Sequence, residues 1–495
     1  MIKLFISLFL LAQLSLMAKP SNIVFFLVDD LGWKDLNCYG AELYETPNID
    51  QLCADGMKFE RAYTTAPICS PARASLMTGT HPMKQKMWNH LHILPPNVGK
   101  ILPAYLKEQN YQTWHIGKWH LGKPEDKTLP HEVGFDKNIA GTQAWEPGSF
   151  HWPYRFPKKT QKNIPPDSAN FNSLKSGKEG EYITDRLTDE ALKLIDKRDP
   201  NKPIFMNFWY YTVHNVYITK PRKQGKAELV NKYSKKIKDM GIAPSFRLDP
   251  KTGKKLVTSE NNPAYAAMIQ SLDESVGRVV NKLKEIGEYE NTLFIFLSDN
   301  GSTTDDVPCA PFNGGKNSTY EAGVRIPAII TWPGKVKAGS VSQEIISIAD
   351  VFNTIVEASG ATLPKDFNGD GISLMPVLKG KKLDTDRQLV WYFPDSREHW
   401  GQRANAAIFD TKSGLKYIMY FNGDEDELYN ISNDKEEMKN ILSQNPEKAE
   451  ELKKALMTKL TETYSTLPPP PEKYKSIVEK RLKISSVNNS KVASH

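Results

Sequence analysis

Two short polar runs carry oxygen donors of the kind that hold a hard divalent cation: Asp29-Asp30 near the start of the chain and Asp299-Asn300-Gly301 further along. Carboxylate and amide oxygens suit Ca2+ or Mg2+, and no cysteines and histidines share the spacing of a structural zinc site. Nitrogen chemistry stands elsewhere. Gly117-Lys118-Trp119-His120 brings an ammonium close to an imidazole, and His214 adds a second ring able to move protons near neutral pH. Taken singly, each has a plainer use. An Asp pair caps helices, Asp-Asn-Gly makes a turn, and a lone histidine is more often hydrogen-bonded scaffold.

What changes their meaning is the company they keep. Ile23 to Val28, Gln112 to Ile116, Pro203 to Trp209 and Thr292 to Leu297 are short, apolar and β-rich, and the polar runs follow directly from their ends; Ile326 to Trp332 is a fifth such segment. Uniform apolarity predicts strands buried on both faces, as in a mostly parallel sheet. Between them, Tyr182 to Lys197 and the series Tyr265, Met268, Ile269, Leu272, Val276, Val279, Val280 and Leu283 have helical spacing, which predicts covering helices and an α/β fold. Ligands of such sheets bind beyond the carboxyl ends of the strands, where these polar residues would meet. Two segments rich in proline, lysine and aromatics, roughly 122 to 180 and 215 to 262, read as functional loops or rims.

The stretch Cys69-Ser70-Pro71-Ala72-Arg73, with Thr78-Gly79 shortly after, resembles the signature of the formylglycine-dependent sulfatase family. The resemblance extends in the family's order through Asn22 to Gly32, Thr46-Pro47-Asn48-Ile49-Asp50, Gly117 to Gly122, Ser298 to Gly301, Gly314-Gly315-Lys316 and Glu321 to Pro327. It implies an alkaline-phosphatase-like fold: a large, mostly parallel sheet sandwiched by helices, spanning 19 to 385, then a smaller C-terminal α+β subdomain, 386 to 466, carrying an antiparallel sheet. It also implies that Cys69 is oxidised to formylglycine by a formylglycine-generating or anaerobic sulfatase-maturing enzyme. Asp29, Asp30, Asp299 and Asn300 would hold one Ca2+ together with the modified Cys69.

In the mechanism so implied, a hydroxyl of the hydrated aldehyde attacks sulfur while Arg73 and Lys118 stabilise its charge. Lys316 and His214 flank the ester, binding sulfate and protonating the leaving oxygen, and His120 takes the proton from the remaining hydroxyl to expel sulfate. His214 lacks the proline that usually precedes it in the family. His115, inside a strand pattern, reads as structural. Trp391 to Trp400 is similar to the region that reaches back to the pocket, making His399, Trp400 and Arg403 substrate-binding candidates. The implied substrate is a sulfated carbohydrate of galactose or N-acetylgalactosamine type, cleaved by exo action. Trp145, Trp152, Tyr154 and Arg155 in the first long loop would suit a sugar, whereas the lysine-rich run from 220 to 238 reads equally as a solvated face. A phosphonate or phosphate monoester hydrolase of the same superfamily is the alternative, and an inactive glycan-binding homologue is disfavoured by the intact signature.

Composition sets the outer bounds. The chain has 495 residues, 39% of them hydrophobic, with 65 Lys and Arg against 58 Asp and Glu, enough for a sizeable core and too mildly basic to call for a nucleic-acid partner. Residues 1 to 18, with an apolar run from Leu4 to Met17, read as a signal peptide, so the protein is expected to be exported, periplasmic or secreted, without stable membrane insertion. Four cysteines are too few for a disulfide framework. Residues 467 to 495, opening on Pro468 to Pro471, read as a poorly ordered tail.

Overall fold

The computed structural model describes residues 20–154, 171–174, 176–215, 224–249, 253, 255–303, 307–383, 386–395 and 403–463; the expected leader and tail lie outside them. Strands are numbered β1 (Asn22–Val28), β2 (Met57–Tyr63), β3 (Gln112–Gly117), β4 (Lys137–Ile139), β5 (Ile204–Trp209), β6 (Phe246–Leu248), β7 (Lys255–Val257), β8 (Thr292–Ser298), β9 (Arg325–Thr331), β10 (Ser340–Ser347), β11 (Gln388–Phe393), β12 (Asn405–Asp410), β13 (Leu415–Tyr420) and β14 (Glu427–Asn430). The longer helices are α1 (Pro47–Ala54), α2 (Cys69–Thr78), α3 (Ile183–Asp196), α4 (Ala227–Asp239), α5 (Pro263–Glu285), α6 (Ile348–Ala358) and α7 (Pro446–Thr458).

Eight strands form one sheet in the order β10-β2-β9-β8-β1-β5-β3-β4. β1 lies between β5 and β8, parallel to both. Every residue of β1 is buried, and its alternation divides them between two cores. Val24, Phe26 and Val28 pack with side chains of α1, α3, α4 and α5, whereas Ile23, Phe25 and Leu27 pack with α2 and α6 on the other face. β9 runs antiparallel to both β2 and β8, so the sheet is mostly parallel rather than wholly so.

Local chemistry starts the covering helices where they are needed. Asn262 caps α5 by accepting from the amides of Ala264 and Tyr265, with Pro263 in the first turn. Ser347 and Asp350 form a reciprocal capping box on α6. Three of the four lysines of α4 are paired: Lys232 and Lys236 meet Glu45, and Lys235 meets Asp239. That helix presents a solvated face on which most of the lysines meet a carboxylate.

The four-stranded antiparallel sheet β11-β12-β13-β14 is covered by α7 on one side. Its other side buries Trp391, Ala407, Phe409 and Ile418 against Tyr63 and Val324 of the main body. The two parts are also tied by charge. The fully buried Lys416 ammonium lies 3.1 Å from Glu321 Oε1 and 2.9 Å from Glu437 Oε1. Tyr63 donates to Glu321 Oε2 at 2.9 Å, and the Glu321 amide donates to Glu437 Oε2 at 2.6 Å.

Removing one member of a buried ion network strands its partners. Lys416→Met is therefore expected to lower stability by about 3–5 kcal/mol in chemical denaturation. Lys412→Met, at a position whose side chain is 74% exposed, should leave the same denaturation curve essentially unmoved.

Candidate functional site

The site stands at the carboxyl ends of the neighbouring strands β1 and β8. Leaving β1, the Asp29 amide bonds to the Thr212 carbonyl at 3.1 Å, and Asp30 takes a left-handed conformation with φ 62°. From β8, Asp299 Oδ1 accepts from the Asp30 amide at 3.2 Å, and Asn300 Nδ2 donates to Asp30 Oδ1 at 2.7 Å. One oxygen from each of Asp29, Asp30 and Asp299 lies within 4.8 Å of the others. Asp29 Oδ1 and Asn300 Oδ1 are buried without a hydrogen-bond donor among the described residues. Buried polar atoms are rarely left so. A cluster of hard oxygens with unused lone pairs fits a divalent cation of the Ca2+ or Mg2+ kind.

Three cationic side chains enclose these carboxylates. Arg73 Nε is 2.8 Å from Asp299 Oδ2, its Nη2 is 3.5 Å from Asp29 Oδ1, and its Nη1 donates to the Lys118 carbonyl at 3.0 Å. Lys118 Nζ meets Asp29 Oδ2 at 2.6 Å and Lys316 Nζ meets Asp30 Oδ2 at 2.7 Å. Lys118 reaches its position because Gly117, at φ 96°, turns the chain tightly after β3. A Cβ there would stand 1.9 Å from the Trp209 carbonyl, which accepts the Lys118 amide at 2.7 Å. Gly301 serves a similar crossing, since a Cβ would come within 1.7 Å of the Ala322 carbonyl.

Cys69 opens α2, and its Sγ is 3.3 Å from His120 Nδ1. His120 Nε2 lies 2.7 Å from the His90 carbonyl. A carbonyl only accepts, so Nε2 carries the hydrogen and the neutral ring turns its Nδ1 lone pair toward Cys69. His214 Nδ1 likewise donates to the Asn215 carbonyl at 2.7 Å, while its Nε2 is 3.5 Å from Asp30 Oδ2.

A model of the sulfatase family matches residues 21–361 of this chain. The chain belongs to the sulfatase family. It is a sulfuric ester hydrolase. A second model, described as the C-terminal part of N-sulphoglucosamine sulphohydrolase, matches residues 315–466. The chain is 31% identical over 407 residues to the N-acetylgalactosamine-6-sulfatase of Homo sapiens, covering 76% of this chain and 69% of that one. It is 27% identical over 521 residues to the N-acetylgalactosamine-6-O-sulfatase of Bacteroides thetaiotaomicron, covering 88% and 92%. The crystal structure of Ps i-CgsB in complex with k-i-k-neocarrahexaose is similar over 94% of this chain and 98% of that one, with 26% identity and a TM-score of 0.72.

In this sulfatase, Asp29, Asp30, Cys69, Arg73, Lys118, His120, His214, Asp299, Asn300 and Lys316 are joined by the contacts above. Arg403 is engaged with Tyr320 Oη of the main body at 3.0 Å and, beside the C-terminal sheet, with Tyr420 Oη at 2.8 Å and Asp424 Oδ2 at 3.1 Å. His399 and Trp400 lie outside the described residues. Three contributors escaped sequence reasoning. Glu146 Oε2 is 3.6 Å from His214 Nδ1, the His90 carbonyl holds His120, and Thr64 Oγ1 donates to the Asp299 carbonyl at 2.6 Å. None stands in a motif, and two of them act through contacts to backbone carbonyls that residue type does not encode.

Burial and crowding set the charges. Burial, reinforced by Asp299 and Asp30 and opposed by Lys118, pushes Asp29 up to about 8. Burial also works against Asp30, yet Lys316 and His214 hold it well below the usual carboxylate range. Neighbouring carboxylates in one buried site split in this way, one held charged and the other pushed toward its neutral form. Burial raises the Cys69 thiol despite Lys118 and Lys316. It also lowers His120, with Lys118 and Arg73 adding to the effect.

His115 has a different setting. Its Nδ1 meets Asn207 Nδ2 at 3.0 Å and its Nε2 the Gly117 carbonyl at 3.2 Å, among the rings of Trp119, Phe135 and Trp209. Burial pushes it down to about 3. His115→Ala is expected to lower stability by about 1–3 kcal/mol, the cost of stranding buried partners, while kcat for 4-nitrophenyl sulfate changes only a few-fold. Parallel melting curves and initial rates test this.

Proposed function

We propose that this sulfatase hydrolyses a sulfate monoester of a carbohydrate of galactose or N-acetylgalactosamine type, by exo action, using a formylglycine made from Cys69 and one Ca2+. The observation that carries this reading is the arrangement around Cys69. Three carboxylates, an amide and three cationic side chains converge on a buried thiol that faces a neutral imidazole. Burial raises that thiol, which disfavours a thiolate nucleophile. Activation by modification rests on the resemblance of Cys69 to Gly79 to the family signature. The sugar class rests on the relatives, two of them named N-acetylgalactosamine-6-sulfatase or -6-O-sulfatase and one solved in complex with k-i-k-neocarrahexaose.

Asp29, Asp30, Asp299 and Asn300, with the oxygen at position 69, would hold Ca2+, which when bound supplies two positive charges that polarise the sulfate oxygens. Hydrated formylglycine supplies one hydroxyl as nucleophile and a second through which sulfate can be released. The chain's own residues do the rest. Arg73 and Lys118 hold negative charge at position 69. With the carboxylates and cationic side chains in balance, a divalent ion leaves the centre net positive, as an anionic ester requires. Lys316 and His214 flank the ester and protonate the departing alcohol. Burial and then Lys316 push His214 well below its ordinary range, and the negative charge of a bound sulfate acts in the opposite sense. His120 Nδ1 accepts the proton at position 69, its Nε2–H held by the His90 carbonyl.

Maturation calls for a formylglycine-generating or anaerobic sulfatase-maturing enzyme as partner. Export follows from residues 1 to 18, and no helix among the described residues is long and apolar enough to cross a membrane. The destination is the periplasm or the exterior.

Mass spectrometry of the peptide holding Cys69 should show a loss of about 18 Da, the change from thiol to aldehyde, and Cys69→Ala should abolish turnover with the fold retained. Full activity of Cys69→Ala would overturn the mechanism. His120→Ala should lower kcat by about 10²–10⁴-fold, the usual worth of a positioned acid–base group. After chelation, Ca2+ should restore turnover and raise thermal stability, by about 2.7 kcal/mol at a hundredfold excess over Kd. Asp299→Asn and Asn300→Ala should blunt both responses, and stoichiometric zinc in elemental analysis would contradict the assignment.

A further inference from the structure

The groups at the centre of the site are enclosed: Cys69, His120 and His214 are at most 3% exposed and Lys316 is 8% exposed. Only the sulfate end of a substrate fits among them, so the remainder must lie against whatever half-exposed residues border the centre. Two segments do so. Residues 88 to 92 are fastened to the nucleophile helix and to His120: Ser70 Oγ donates to the His92 carbonyl, and the His90 carbonyl accepts from His120 Nε2 at 2.7 Å. The segment is stiffened by the Trp88 amide donating to His92 Nδ1 at 3.1 Å, and it exposes Leu91 at its tip. Residues 142 to 146 border the same centre. The Thr142 carbonyl accepts from the His120 amide at 3.0 Å, and Glu146 Oε2 lies 3.6 Å from His214 Nδ1.

The two segments meet through side chains. The rings of His90 and Trp145, both half-buried, stand 6.4 Å apart at 89°. His90 belongs to the segment that holds His120, and Trp145 precedes the glutamate that faces His214. The ring pair therefore joins the segment that holds His120 to the segment whose glutamate faces His214.

We propose that His90 and Trp145 form the wall against which the sugar ring bearing the scissile sulfate rests, making them specificity-determining residues. This rests on the sulfated-carbohydrate reading above. Two rings at right angles make a corner rather than a flat stack. A pyranose fits such a corner with its C–H face on the indole and its hydroxyl edge toward the imidazole, whereas a small aryl sulfate needs little beyond the sulfate-binding groups.

The test compares 4-nitrophenyl sulfate with a panel of N-acetylgalactosamine 6-sulfate, galactose 6-sulfate and a neocarrahexaose. For whichever saccharide the wild type desulfates, Trp145→Ala and His90→Ala should lower kcat/KM by about tenfold or more beyond any loss on the aryl sulfate. Trp145→Phe, which keeps an aromatic face, should recover most of it, and melting curves should separate specificity from misfolding. Equal losses on both substrates, or no recovery with phenylalanine, overturn the wall while leaving the sulfated-carbohydrate reading intact. A wild type active on the aryl ester but on no saccharide of the panel overturns that reading and the wall with it.

Discussion

Three carboxylates buried side by side at the ends of two adjacent strands repel one another, and the rest of this molecule is arranged around that repulsion. Asp29 and Asp30 leave β1, and Asp299 leaves β8, the strand paired with it in register. In water such a group would spread apart or take up protons. Here the sheet forbids the first, and Arg73, Lys118 and Lys316 oppose the second. The cationic side chains come from a helix, from the turn after β3 and from the loop after β8. Any shift in one of those elements alters the balance of charge, so the centre requires a rigid frame.

That frame is built from close approaches of backbone. Gly117 and Gly301 stand where a Cβ would strike a carbonyl of a neighbouring segment. The helix that starts at Cys69 is buried on every side and ends at Gly79 in a left-handed turn with φ 67°. The Lys416 network ties the C-terminal sheet to Glu321, in the same segment whose Gly323 carbonyl accepts the Gly301 amide. The C-terminal sheet thus helps brace the centre from outside it. Arg403 shares in that bracing through Tyr320 and Tyr420.

Much of this was legible in the chain. The strands β1, β3, β5, β8 and β9 stand where uniformly apolar segments predict them, because an interior strand of a parallel sheet must be apolar on both faces. β2 and β10 escaped notice. Lys58, Glu60 and Arg61 interrupt the first and Ser342, Gln343 and Glu344 the second, since these strands lie toward one edge of the sheet where half-exposed side chains are tolerated. The antiparallel course of β9 also had no local signature.

The sequence by itself determined which residues could do the chemistry. The acids, the amide, Lys118 and His120 follow directly from strand ends, His214 a few residues after one, and the Cys69 to Gly79 motif carries its identity in residue types at short spacing. Such information is local, and local spacing survives in a linear reading. Tertiary structure alone decided what those residues touch. That His120 turns Nδ1 toward Cys69 depends on the His90 carbonyl, thirty residues earlier in the chain. That Glu146 faces His214, and that His90 meets Trp145, depends on two loops crossing over the carboxyl ends of the strands. Backbone carbonyls are the same in every residue, and loop crossings are set by the packing of distant elements, so neither leaves a mark in the order of amino acids.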